Sequence, residues 1–271
     1  MKTNLATCLL LWLVITALRL PAQSLADNHS SIAATKVKAE TGDASAQFNL
    51  AEAYFSGTNG LDRDLVRAAK WYRQSASHGN VPAELKLGHL YYAGQGVKQN
   101  YPQAAKWFRQ AADHGDLQAQ YELACCYDAG VGVPQDDAEA VKWYRLAAEH
   151  GHAKAQNNLG TCYENGQGVT QNYATAAQWF RRGAEQGEAA AEFNLGRFYD
   201  HGKYLPQNNH DAYVWLSRAA AQGDPDAANE RDNVAIRLTS AEIIAAQNDA
   251  AAFVPRPQLP APPPLKPAAR P

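Results

Sequence analysis

Charge is scarce in this chain. Charged residues make up 19% of its 271 positions and the net charge is −2, so neither nucleic acid nor an anionic membrane surface has an electrostatic reason to bind it. Cysteine is scarce too, with four residues. Cys8 stands near the N-terminus; Cys125, Cys126 and Cys162 lie in the body. Without the N-terminus an odd number remains, which cannot close a disulfide framework, and the three are read as small buried hydrophobes. No nucleophile stands beside a supporting base, and each Gly-x-Gly follows a helical pattern rather than the strand that a phosphate cradle requires. The chain is therefore read as non-enzymatic, with no catalytic residues, no cofactor and no metal.

Long apolar runs are also missing. The one stretch of that kind, Leu9 to Leu18, is about ten residues, too short to span a bilayer comfortably. Lys2 ahead of it and Ser24-Leu25-Ala26 behind it complete the pattern of an export signal, residues 1–26, cut before Asp27. Arg19 lies close to that cut, so an anchor left in place is the alternative. At the other end, 253–271 is rich in proline, which lacks the N–H that helix and sheet need; it is read as an extended, disordered tail.

What is present is a repeat. Trp71, Trp107, Trp143, Trp179 and Trp215 follow one another at constant spacing. One supersecondary unit stacked several times is the reading. In the third copy Ala119, Leu123, Ala124 and Tyr127 recur at three- and four-residue steps, the period of an amphipathic helix. Gly130-Val131-Gly132 interrupts them, and Ala140, Val141, Trp143, Tyr144, Ala147 and Ala148 form a second periodic run. Seven residues before each tryptophan stand Asp64, Asn100, Asp136, Asn172 and Asn208, all strong N-cap types. Gly79, Gly115, Gly151, Gly187 and Gly223 suit the left-handed position that ends a helix. The unit is helix, glycine-rich turn, helix, short turn.

Five copies are expected, at 42–78, 79–114, 115–150, 151–186 and 187–222, giving an all-α solenoid. In the last copy Tyr204 and Pro206 demand a different turn. The segment 27–41 is read as an N-terminal cap and 223–252 as C-terminal capping helices, with Thr239-Ser240-Ala241-Glu242 as a capping box flanked by Leu238 and Ile243. Each indole is expected to fill the space between neighbouring hairpins, so that Trp143→Ala costs about 3–5 kcal/mol.

These residues resemble the Sel1-like repeat family, relatives of the tetratricopeptide arrays. Ala155, Leu159, Gly160, Tyr163, Gly166, Gly168 and Val169, leading to Ala176, Trp179, Phe180 and Gly187, follow the family's pattern closely. The resemblance implies an adaptor or scaffold in cell-envelope regulation or host–microbe contact. Some exported relatives brace each hairpin with a cysteine on either helix, and some are linked to penicillin binding. Here no second helix carries a cysteine, and no Ser-x-x-Lys occurs, so neither property is carried over.

If the first helix of each hairpin lines the inner curve, as in related arrays, three registers face a groove. One is Asn49, Lys86, Glu122, Asn158 and Asn194. The next is Glu52, His89, Cys125, Thr161 and Arg197. Phe48, Leu85, Tyr121 and Phe193 form the third, interrupted by Asn157. The candidate partner-binding residues are Asn49, Glu52, Lys86, His89, Glu122, Asn158 and Arg197. A protein or peptide segment is the expected partner, for an exported, periplasmic or secreted bacterial protein without a membrane span after signal cleavage; capped ends favour a monomer. A peptidoglycan- or glycan-binding envelope protein, or a weak hydrolase, is the alternative. His78, His114 and His150 are read as caps for exposed helix carbonyls. The stripe of Lys70, Arg73, Lys106, Arg109, Lys142, Arg145 and Arg181 is read as a solvated face.

Overall fold

The structure, a computed structural model, describes residues 32–202 and 205–256. The proposed export signal, the turn residue Tyr204 and the tail beyond Arg256 lie outside the described residues. Among those described, thirteen helices and no strand are found. They are α1 over 32–40, then the pairs α2 (Ala44–Ser56) and α3 (Leu65–Ser77), α4 (Val81–Ala93) and α5 (Tyr101–Asp113), α6 (Leu117–Ala129) and α7 (Asp137–Glu149), α8 (Ala153–Asn165) and α9 (Tyr173–Glu185), α10 (Ala189–His201) and α11 (Asn209–Ala221), closed by α12 (Pro225–Ala235) and α13 (Ser240–Ala252). The architecture is an all-α solenoid of helix-turn-helix repeats. Two compact units divide the chain, one ending at Ala111 and the other beginning at Ala112.

Short polar side chains start these helices. Asp64, Asn100, Asp136, Asn172 and Asn208 each accept a bond from the backbone N–H three residues on, at 2.9–3.1 Å. The first helices are capped too: Asp43, Asn80 and Asp116 bond to the amides of Ala46, Ala83 and Ala119. His152 does the same through Nδ1, which accepts from Ala155 N at 3.2 Å. Removing such a cap costs about 1 kcal/mol. The Thr239–Glu242 capping box forms at the start of α13. α12 begins at Pro225, where proline's fixed φ suits a first helical turn behind the cap Asp224.

The turn within a hairpin has two glycines with separate jobs. Gly166 takes φ +73° and ends α8. Gly168 is needed for approach: a Cβ there would lie 2.2 Å from the Asp137 carbonyl oxygen at the start of α7. The turn of one repeat thus rests on the N-terminus of the second helix of the repeat before it.

The core corrects one sequence expectation. Trp71, Trp107, Trp179 and Trp215 are half-buried, and only Trp143 of the five is buried. The residue after each tryptophan fills the hairpin instead: Tyr72, Phe108, Tyr144, Phe180 and Leu216 are all within 1% of complete burial. One residue is a 100° step around a helix, so the indole falls at the edge of the buried face. Cations cover it there, with Arg182 4.6 Å from the Trp179 ring centre and Lys142 5.7 Å from that of Trp143.

Each core ring has a matched neighbour on the first helix. A Cβ on Gly88 would stand 2.3 Å from Phe108, and one on Gly160 would stand 2.6 Å from Phe180. Where the ring is Tyr72 or Tyr144, the corresponding residue is Ala51 or Ala124. Those tyrosines carry a hydroxyl bonded outside the core, at Glu52 and at Asp128. Tyrosine thus pairs with alanine and phenylalanine with glycine across the hairpin.

Three arginines of the basic stripe are structural ties. Arg73, Arg145 and Arg181 donate to the hydroxyls of Tyr91, Tyr163 and Tyr199 in the following repeat, at 2.6, 2.9 and 2.6 Å. Arginine's planar fork reaches across a repeat boundary where a solvated lysine has no such partner.

Candidate partner-binding face

In the first unit α2 and α4 place Asn49, Glu52, Lys86 and His89 on the first-helix side. Lys86 Nζ lies 3.1 Å from Glu52 Oε1 and 5.5 Å from the Phe55 ring centre. The same Glu52 oxygen accepts from the core Tyr72 hydroxyl at 2.6 Å. Burial first, and then the Glu52 carboxylate, push the Tyr72 hydroxyl far above its ordinary pKa, so its proton stays in place to donate. His89 meets Phe108 edge-on at 5.2 Å. Asn49 is exposed on α2. Glu52 thus joins the hidden core to the open face.

In the second unit the polar registers form a connected chain. Tyr144 donates to Asp128 Oδ2 at 3.1 Å, and Asn158 Nδ2 donates to the Tyr144 oxygen at 3.1 Å. Asn157 Nδ2 donates to Asn158 Oδ1 at 3.2 Å, and Asn194 Nδ2 donates to Asn157 Oδ1 at 2.9 Å. Arg197 Nη1 donates to Asn194 Oδ1 at 3.2 Å while Nη2 lies 3.7 Å from Glu164 Oε1. Asn158 and Arg197 are therefore brought into one network across three repeats. Glu122 accepts from Gln118 Nε2 at 2.8 Å. Gln118 in turn bonds His152 Nε2 at 3.0 Å.

Cys125 is part of this face, with Sγ 3.4 Å from the Tyr144 hydroxyl. Burial pushes its thiol above the ordinary range, against the opposing pull of the tyrosine hydroxyls. Cys126 and Cys162 are pushed up to about 12 by burial. All three are free thiols, and none has the electropositive setting that activates a nucleophile. The aromatic register is engaged in packing. Phe48 tilts onto Tyr72 at 5.8 Å, Tyr121 stacks on His152 at 4.8 Å, and Arg197 lies 5.6 Å from the Phe193 ring centre.

The histidines need a partial correction. His150 Nδ1 meets the Leu146 carbonyl of the last helical turn at 2.8 Å, as a helix-end cap should. His78 turns elsewhere: its Nδ1 lies 3.0 Å from Gln47 Oε1. Gln47 belongs to a phase that sequence reasoning passed over. Gln47, Gln120 and Gln156 are buried and donate to the carbonyls of Ala39, Ala112 and Ala148, at 3.0, 3.3 and 3.0 Å. Glu84 and Glu192 occupy the same phase. The signal was one long polar residue per repeat amid alanine and leucine, which only burial makes meaningful. Among the described residues no group of three or more His, Cys, Asp or Glu could hold a metal ion, and no helix is long and apolar enough to cross a membrane.

Comparison with known proteins supplies the family. A family model described as Sel1 repeat matches five times, over 44–80, 81–116, 117–152, 153–188 and 189–224. Among solved structures the chain is similar to c5321, a protective antigen present in uropathogenic Escherichia coli strains and displaying an SLR fold, with 36% identity and a TM-score of 0.74. That match covers 81% of this chain and 48% of the other, so this chain spans about half the length of the E. coli protein. It is also similar to a Sel1 repeat protein from Oxalobacter formigenes, with 29% identity, a TM-score of 0.67, and coverage of 78% of this chain and 88% of that one. No curated protein matches. Proteins built of Sel1 repeats generally act as protein-interaction scaffolds. With five matched copies covering well over half its length, the chain belongs to the Sel1 repeat family.

Proposed function

We propose that this protein is an exported, monomeric adaptor that holds a segment of a partner protein against the first helices of its repeats. The observation that carries the reading is the polar chain from Asp128 through Tyr144, Asn158, Asn157 and Asn194 to Arg197 and Glu164. Tyr144 is buried and the other members are half-buried; the bonds among them fix them in place, which lowers the entropy lost when a partner docks. The side-chain amides of Asn157, Asn158 and Asn194 carry both donors and acceptors, the chemistry of a peptide backbone. Glu52 and Lys86 offer a second, charged pair for the same kind of contact.

The leader-like N-terminus supports export to the periplasm or beyond. Similarity to a protein described as a protective antigen supports a role in the cell envelope or in contact with a host. A glycan-binding role has weaker support, because sugars stack on open aromatic faces and Phe48 and Tyr121 are occupied by Tyr72 and His152.

Photo-reactive residues at Asn49 and Asn158, with a control at the outward Lys106, test the proposal in the native compartment. Cross-linking of one defined protein at the first two positions, lost in the double variant K86E/R197E, is the expected result. Equal cross-linking at Lys106, or sedimentation with purified cell wall without any protein adduct, would overturn it.

A further inference from the structure

The last described residues form a strap. α13 ends at Ala252, and Phe253 turns extended, with φ −67° and ψ 129°, a course that Pro255 sustains through its fixed φ. The strap crosses from α13 onto the second helices. Phe253 meets the Trp215 ring edge-on at 5.4 Å, and its ring centre lies 3.6 Å from Arg218 Cζ. Pro255 rests against Gly187, where an added Cβ would stand 3.3 Å from the proline Cγ. Arg256 N donates to the Glu185 carbonyl at the end of α9, at 3.0 Å. Val254 between them is 78% exposed, so the contact reads a ring, a proline and one backbone N–H.

That seat is built from a repeated phase. Trp179 and Arg182 stand one repeat before Trp215 and Arg218, as Glu149 and Gly151 stand one repeat before Glu185 and Gly187. The first three repeats carry Gln74, Gln110 and Leu146 at the arginine's phase, so the fourth and fifth alone pair the indole with a guanidinium. In the fifth, under the strap, the Arg218 side chain is 11% exposed. In the fourth, Arg182 is exposed and its Cζ lies 4.6 Å from the Trp179 ring centre. One face of that guanidinium is covered by the indole and the other is turned to solvent. Beside it runs a cleft of about 410 Å³, to which Ala174, Ala177 and Leu205 give an apolar wall and Glu185 the one carboxylate.

The two seats differ in charge. Arg218 Nη2 donates to the fully buried Glu192. One repeat earlier that phase is Gln156, a neutral amide that accepts from Gln186 at 2.7 Å. Arg182 enters no ion pair among the described residues, so a ligand seated there must bring its own carboxylate. The strap shows where. Ala251, two residues before Phe253, lines the same cavity as Arg218. We propose that the Trp179–Arg182 seat docks an extended segment of a partner protein: an aromatic ring on the open guanidinium face, proline two residues after it, and an acidic residue two before it. Ring and guanidinium attract through the ring's negative face, and the carboxylate takes the guanidinium edge. The seat lies on the second helices, apart from the first-helix face, and does not depend on the adaptor reading.

Isothermal titration of the full chain with a capped peptide of the strap sequence, residues 250–256 carrying Ala251→Glu, tests it. Comparison peptides carry Ala251→Gln, or Ala251→Glu together with Phe253→Ala. The protein variants are Arg182→Gln, at an exposed position and first checked for an unchanged thermal midpoint, and Phe253→Ala, which uncovers the fifth-repeat seat without touching the Glu192–Arg218 pair. The glutamate peptide should bind at about millimolar or better, and each comparison peptide, like the Arg182→Gln protein, should weaken binding by about three- to tenfold. The Phe253→Ala protein should bind like the parent. Tighter binding to it would place the peptide on the fifth repeat, and tighter binding to a chain ending at Arg256 would give the seat to this chain's own residues 257–271. Either result would overturn the proposal, as would equal binding of the three peptides, an Arg182→Gln protein that binds like the parent, or no heat up to about 5 mM peptide.

Discussion

Gly160→Ala isolates the pairing between a core ring and the residue beneath it. Helix propensity alone predicts a gain of about 1 kcal/mol, because glycine inside a helix is that much worse than alanine. Packing predicts the reverse. The new methyl would stand 2.6, 2.7 and 3.2 Å from Cε1, Cδ1 and Cζ of Phe180, where carbon atoms prefer about 3.5–4.0 Å. The ring must move by about 1 Å, yet Phe180 is 0% exposed and sits among Ala176, Ala184, Leu195 and Phe198. Overpacking of this kind costs about 1–3 kcal/mol, so the net change is a loss of up to about 2 kcal/mol. Urea unfolding followed by circular dichroism reads it as a lower midpoint at constant slope. The companion Phe180→Tyr places a hydroxyl near Thr161, Glu164 and Asn194, which occupy the phases of Cys125, Asp128 and Asn158 around Tyr144. One such bond restores about 1 kcal/mol, and the double variant should be more stable than Gly160→Ala alone. A raised midpoint in the single variant, or no coupling in the double, would refute the account.

Phe180→Ala should cost about 3–5 kcal/mol, and Trp179→Ala clearly less, since the neighbouring indole is half-buried; paired urea curves compare them. Burial, reinforced by Lys154 and opposed by Asp116, holds His152 below the ordinary histidine range. The unfolded chain then takes up the proton first, so the stability His152 contributes is complete above about pH 6.5 and is lost as pH falls through the lower folded value. His152→Asn keeps a capping acceptor without a titrating ring and should flatten the midpoint between about pH 7 and pH 5. Because burial raises all three described thiols, Ellman's reagent should label them slowly in the native protein and at once in urea. Fast native labelling of Cys126 or Cys162 would contradict their burial. Arg145→Lys should destabilise by about 1 kcal/mol through loss of the Tyr163 bond, whereas Lys106→Ala should change the midpoint hardly at all.

Much of the fold was legible because each signal was local. Asp136 and Asn172 act as caps through the next turn of their own helices, and Gly166 answers to its own φ. The candidate face was legible only in part. Periodicity put Glu52, Lys86, Asn158 and Arg197 on first helices, and the structure does join Glu52 to Lys86 and Asn158 to Arg197. Asp128, Glu164 and the Tyr144 hydroxyl escaped notice because their roles depend on partners well over ten residues away, as with Asn158 and Tyr144. Gln47 and Gln156 escaped for a related reason: a glutamine is polar on paper, and its value lies in reaching a carbonyl in the preceding helix.

The sequence by itself determined the number of repeats, the order of helix and turn, and the caps, since spacing and short-range hydrogen bonding decide these within one hairpin. Tertiary structure decided which aromatic is sealed. A 100° step separates Trp179 from Phe180, and the choice between them rests on what the opposite helix offers, here a glycine. It also decided that Arg145 is a tie to Tyr163, because only the neighbouring repeat can supply the partner.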